Sequence, residues 1–230
     1  MNNFTIVSIE GNIGSGKSTL LANLRSHYGN NTYVMFLKEP VDEWEKIRDE
    51  NDVTMLEKFY EDPNKYAFSF QMMAYVSRIK VLRDVLKHIK TLNLLDKKII
   101  LITERSLYTD KFVFAKMLFD SKKIEHINYQ IYLNWFDTFS EEFPVHKVVY
   151  VKTTPEKCHS RIITRSREGE SNINLEYLSN CNSYHDNMLD MFDKESICTE
   201  QLIIDGNIDI YKNKNQVEKW INEIDTFINK

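Results

Sequence analysis

The chain has 230 residues, 42% apolar and 28% charged, with a net charge of −4. That size suits one domain with a sizeable core, and the acidic balance leaves no basic excess for displacing counterions from a nucleic acid. No apolar run is long enough for a bilayer, and Cys158, Cys181 and Cys198, which lack metal-ligand spacing, read as free thiols of a reducing compartment.

Residues 4–10 read as a buried strand that starts almost at the first residue, so no signal or transit peptide is expected, and the expected location is cytoplasmic. Next comes Gly11-Asn12-Ile13-Gly14-Ser15-Gly16-Lys17-Ser18-Thr19, a complete G-x-x-x-x-G-K-[ST] loop, followed by a helix over 17–27. A strand, this loop and a helix N-terminus together form a phosphate cradle. Backbone N–H groups turn inward, Lys17 reaches the β- and γ-phosphates, and Ser18 ligands Mg²⁺. The loop implies ATP or another nucleoside triphosphate. It does not say what receives the phosphate.

The remaining spacing predicts strands over 33–38, 98–103, 146–152 and 200–205. It predicts helices over 43–49, 53–60, 64–90, 106–120, 125–140, 155 to about 166, 174–192 and 214–229, with breaks at Asp62-Pro63 and 167–172. Strands alternating with helices imply an α/β fold of three layers, a parallel sheet with helices on both faces, in one domain over 1–230. Ligands in such folds sit at the carboxyl ends of the strands. That rule gathers the loop, Glu39, Glu104-Arg105 and Thr153 on one rim.

Several residues on that rim fit phosphoryl transfer. Glu39, at the end of the second strand, is placed either to take a proton from an attacking hydroxyl or to be a surface glutamate before Pro40; alone, the two weigh evenly. Glu104 is placed to hold Mg²⁺ and Arg105 to neutralise the transferring group, against an ordinary strand-end ion pair. Arg161, Arg165 and Arg167 stand ahead of a polar, glycine-containing break, like a lid over phosphates near 161–172. The competing reading is a solvated basic helix paired with Glu168 and Glu170. Gln71, Ala74 and Arg78 share a helix face, and Asp110 and Phe114 form an i,i+4 pair. Without other evidence, an exposed polar face is the better reading of the first group.

In combination, the motifs resemble the deoxynucleoside kinases over nearly the whole chain. They are E-G-N-I-G-S-G-K-S-T at 10–19, E-P-V-x-x-W at 39–44, F-Q-x-x-x-x-x-S-R at 70–78, E-R-S-x-Y-x-D at 104–110, R-I-x-x-R-x-R at 161–167 and L-E-Y-L at 175–178. The resemblance implies transfer of the γ-phosphoryl of ATP, with Mg²⁺, to the 5′-hydroxyl of a deoxynucleoside. It implies Glu39 as general base, Trp44 as a wall of the nucleoside site, and Tyr60 with Glu176 on the sugar 3′-hydroxyl. Gln71 reads the base edge and Phe114 stacks on the base. Glu104 is the magnesium-side acid, Arg105 lies near the 5′-oxygen, and Arg161, Arg165 and Arg167 are lid arginines. Residues Asp205 to Ile210, with Asp209, resemble the loop beside the donor base. Arg78 and Asp110 match a pair that thymidine-accepting relatives lack. The pair favours deoxyadenosine, deoxyguanosine or deoxycytidine, because the thymine methyl would press on Arg78. Family members are commonly homodimers, which the stripe at 68–86 and the aromatic helix at 125–140 would serve.

Two rival readings follow from the loop. A thymidylate kinase usually carries Asp-Arg after the third strand, where this chain has Glu104-Arg105. A P-loop switch of the GTPase kind carries N-K-x-D, and Asn213-Lys214-Asn215-Gln216 lacks the Asp.

Overall fold

The computed structural model describes residues 4–230 apart from 168, 196 and 211. Its centre is β1 (Phe4–Glu10), which pairs in parallel with β3 (Ile99–Glu104) on one side and β4 (Lys147–Lys152) on the other. β2 (Val34–Leu37) adds to β3 and β5 (Gln201–Asp205) adds to β4, so the five strands run in the order β2-β3-β1-β4-β5, all parallel.

Parallel neighbours need crossover connections, and here helices supply them on both faces. Side chains alternate along β1, so Val7 and Ile9 point to one face and Ile6 to the other. On the first face they meet Leu20, Leu21 and Leu24 of α1 (Lys17–Tyr28) and Trp220, Ile224 and Ile228 of α10 (Lys214–Asn229). Leu24 is fully buried; burying one such side chain stabilises by about 1.5–3 kcal/mol. The second face is covered by α4 (Pro63–Thr91), α7 (His126–Ser140) and α9 (Leu175–Lys194). Tyr75, Ile79, Tyr132 and Phe136 pack on Ile6 and Leu101 there, and Met188 and Phe192 pack on Val148 and Tyr150. The three layers expected from the sequence are present.

The turn at Asp62-Pro63 joins two helices without a gap. Asp62 closes α3 (Met55–Glu61), and its carboxylate accepts the Lys65 N–H at the start of α4, with Pro63 at the first helical position. α3 begins with a reciprocal cap between Thr54 and Glu57, worth about 1 kcal/mol.

Two elements differ from the sequence expectation. The helix expected over 43–49 is shorter and earlier, as α2 (Val41–Trp44). The Asp49 carboxylate accepts the N–H groups of Asn51 and Val53, and this local turn competes with helix there. The helix expected over 106–120 is interrupted. α5 (Leu107–Thr109) passes into a π-helical stretch, Asp110–Ala115, before α6 (Lys116–Asp120). Single π turns inside helices often mark functional sites, and this one carries Asp110 and Phe114.

Candidate active site

The carboxyl ends of the strands open onto a cleft of about 780 Å³. On one side lies the phosphate loop. Gly14 has φ +77°, and a Cβ there would sit 2.6 Å from the Cys158 carbonyl, so the loop passes too close to α8 (Pro155–Arg165) for a side chain. Asn12 fixes the loop from behind: its Oδ1 accepts the Ile13 N–H at 2.8 Å and its Nδ2 donates to the Leu178 carbonyl of α9 at 2.8 Å. Lys17 is buried, and its Nζ donates to the Asn12 carbonyl at 2.7 Å, spanning the loop. Burial, and then the Arg105 guanidinium, lower the Lys17 ammonium to about 8, while Glu104 and Glu39 pull it back up. The Ser18 hydroxyl donates to Glu104 Oε1 at 2.6 Å, so the expected Mg²⁺ pair meets. Arg161 donates to the Ser15 carbonyl at 3.0 Å. Ile13, Gly14, Ser15, Gly16, Thr19 and Asp209 line the same side, whereas Gly11 and Asn12 lie behind it.

The other side is built from charged side chains. Glu39 stands between two arginines: Arg105 Nη1 donates to Oε2 at 2.7 Å and Arg78 Nη2 to Oε1 at 3.0 Å. Burial alone would raise the Glu39 carboxyl, but Arg105, Arg78 and Lys17 outweigh it and hold it at about 2. Arg78 also makes a two-pronged pair with Asp110, at 2.8 and 3.2 Å, and donates to the Glu104 carbonyl at 2.8 Å. Burial raises the Asp110 carboxyl, and the Arg78 charge opposes that rise. Arg78 therefore lies behind the cleft wall, while Glu39, Arg105, Asp110, Gln71 and Phe114 line it.

Arg105 follows β3 with φ +63°. A non-glycine residue in that region carries strain of order 1–3 kcal/mol, and the bend turns the guanidinium toward Glu39 and over the Phe114 ring, 5.1 Å from its centroid. Gln71 is buried, and its Oε1 has no hydrogen-bond partner among the described residues. A buried amide oxygen left unpaired is costly unless a ligand completes it. Trp44 closes this end, edge-on to Phe70 at 5.6 Å, with its Nε1 donating to Ser77 Oγ at 2.8 Å.

The arginine segment places both signs of charge in the cleft. Arg165 and Arg167 both pair with Glu170, whose side chain is only 6% exposed. Glu168, weighed from sequence as a partner, lies outside the described residues. Glu176 is not brought to the site: it sits exposed on the first turn of α9 and does not line the cleft. Glu170 does line the cleft, together with Tyr60, whose hydroxyl is held protonated by burial and then by the Glu170 charge. A spacing argument passes over Glu170 because an acidic residue among arginines reads as a surface ion pair. Its position inside the arginine segment is the available signal.

This site, a phosphate loop facing a carboxylate held by two arginines at the carboxyl edge of a parallel sheet, defines a P-loop phosphotransferase of the nucleoside kinase kind. A family model described as deoxynucleoside kinase matches residues 7–229. The chain is similar to deoxycytidine kinase 2 of Gallus gallus, 32% identical over 96% of this chain and 89% of that one. It is similar to a probable deoxycytidine kinase of fowlpox virus, 32% identical over 96% of this chain and 87% of that one. A mitochondrial deoxyguanosine kinase of Xenopus laevis is 29% identical over 80% of this chain and 72% of its own length. The chain belongs to the deoxynucleoside kinase family.

Proposed function

We propose that this kinase transfers the γ-phosphoryl of ATP to the 5′-hydroxyl of a deoxynucleoside bearing an amino group on its base, in nucleotide salvage. Glu39 carries the reading, because it is the ionised carboxylate that faces the phosphate loop across the cleft, beside Arg105. It accepts or orients the proton of the attacking hydroxyl, and Arg105 neutralises charge as the phosphoryl group moves. The loop amides and Lys17 hold the donor phosphates, with Arg161, Arg165 and Arg167 closing from α8 and its exit, and Asp209 in the loop beside the donor base.

Gln71 meets the base edge through its unpaired Oε1, Phe114 stacks on the base, and Asp110, which lines the cleft and is held by Arg78 behind it, accepts from an amino-bearing base and so selects it over thymine. Tyr60 with Glu170, in place of Glu176, holds the sugar. Ser18 Oγ and Glu104 Oε1 are hard oxygen donors side by side, which fits Mg²⁺ completed by phosphates and water. When bound, the ion offsets phosphate charge.

The chain is proposed to act as a homodimer. Ile127, Ile131 and Trp135 form an exposed stripe along α7, with Val76 exposed on α4. No helix among the described residues is long and apolar enough to cross a membrane.

The reading is tested with ATP and two acceptor sets, deoxynucleosides and their monophosphates. It expects 5′-monophosphate products from the first set and none from the second. Phosphorylation of thymidylate alone would favour a monophosphate kinase.

A further inference from the structure

Glu10 ends β1, immediately before the phosphate loop, and is completely buried. Among the described residues its carboxylate is met by hydroxyls. Ser8 Oγ and Ser106 Oγ donate to Oε1 at 2.6 and 2.7 Å, and Thr109 Oγ1 donates to Oε2. Hydrogen bonds to an ionised acceptor are stronger than neutral ones, and the low surrounding polarity makes a buried carboxylate costly unless its partners stay in place.

The partners are what give Glu10 its reach. Ser106 and Thr109 are the two ends of the reciprocal cap that starts α5: the Thr109 N–H meets Ser106 Oγ at 3.4 Å and the Ser106 N–H meets Thr109 Oγ1 at 3.5 Å. Arg105 immediately precedes Ser106, and Asp110 immediately follows Thr109. Those neighbours are the arginine on Glu39 and the acid on Arg78. The backbone repeats the link, since the Arg105 N–H donates to the Ile9 carbonyl at 3.0 Å. Arg105 also occupies its strained φ of +63° at this junction, a conformation that persists only where its surroundings over-determine it.

We propose that Glu10 is a positioning residue for phosphoryl transfer. Through Ser106 and Thr109 it fixes Arg105 and Asp110 relative to the phosphate loop that begins one residue later. A single buried carboxylate then sets the distance between the donor cradle and both acceptor-side groups. The assignment deepens the kinase reading and rests on it.

The test compares the unsubstituted chain with Glu10→Gln, Thr109→Val and the double variant, measuring kcat, ATP affinity by equilibrium binding, thermal stability, and relative kcat/KM for an amino-bearing deoxynucleoside and thymidine. Glu10→Gln is expected to lower kcat about tenfold or more, with ATP affinity held within about twofold and base discrimination narrowed. The double variant is expected to fall no further than Glu10→Gln, because both changes cut one connection. Wild-type kcat and discrimination in Glu10→Gln, with only thermal stability reduced, would overturn the assignment, as would losses that multiply in the double variant. Should Glu10→Gln fail to fold, Thr109→Val decides alone: a matching loss of kcat and discrimination supports the role, and parental values overturn it. An inactive parent chain overturns the kinase reading and this one together; an active parent with unaffected variants overturns the role of Glu10 alone.

Discussion

The two sides of the cleft hold their ligands by different means. The donor side is centred on one run of nine consecutive residues, 11–19, that presents backbone N–H groups and one lysine. The acceptor side is assembled from β2, α4, β3 and the π-helical turn, and its strength lies in a closed set of charges: Glu39, Arg78, Arg105 and Asp110. A backbone cradle spreads phosphate charge over many weak donors and tolerates many acceptor chemistries. A closed charge set is selective, and it fails when one member is removed. On the proposed reading, the donor side specifies the phosphate and the acceptor side what it is passed to.

The sharpest way to break this contrast is to open the charge set. Arg78→Leu leaves Asp110 buried with its main partner gone and Glu39 with only Arg105 of its two arginines, and removal of one partner of such a pair costs about 3–5 kcal/mol. Denaturant unfolding is expected to show that loss. Replacing both Arg78 and Asp110 with leucine is expected to recover part of it, because no orphaned pair remains. The same set makes stability depend on acid. Glu39 is held at about 2 against its ordinary 4.5, so its contribution is complete above pH 4.5 and is lost as pH falls through about 2.

Glu39→Gln keeps the shape and removes the proposed proton acceptor. Turnover is expected to fall about 10²–10⁴-fold, while deoxynucleoside binding by calorimetry changes far less. Wild-type turnover would remove Glu39 from the chemistry.

Glu170 and Glu176 give a paired comparison within one segment. Glu170→Gln breaks the pairs with Arg165 and Arg167, the proposed lid arginines, and is expected to lower kcat/KM for the deoxynucleoside about tenfold. Glu176→Gln, on an exposed turn, is expected to leave it unchanged. The reverse result would restore the assignment made from sequence.

The smallest effect belongs to the donor side. Lys17 is lowered to about 8, and bound phosphates favour its charged form, so ATP binding is expected to take up protons near pH 8 and to weaken as pH rises beyond it. Calorimetry in buffers of different ionisation heat reads that uptake. Proton release on binding would contradict it.

The legibility of each region follows from how it is built. The phosphate loop and the parallel sheet were readable because their signals are contiguous: a glycine-lysine pattern and uniformly apolar strands. Glu39, Arg105 and Asp110 were readable as candidates, but their closure into one set depends on residues far apart in sequence meeting at the sheet edge. The π turn was not readable, because a helix with one extra residue per turn keeps an apolar pattern close to that of an α-helix. The placement of Glu176 outside the cleft was not readable for a related reason. The L-E-Y-L match picks out Glu176, and the path of the chain through its short turn at Glu170–Asn172 is what brings Glu170 to the cleft instead. Glu10 was hidden inside a motif whose glycines and lysine drew the chemistry.

The most direct measurement of the central claim, that the acceptor side selects the substrate, is the relative kcat/KM of deoxyadenosine, deoxyguanosine, deoxycytidine and thymidine with ATP and Mg²⁺. The account predicts that an amino-bearing deoxynucleoside is used best and thymidine worst. Thymidine as the preferred substrate would contradict the role given to Arg78 and Asp110.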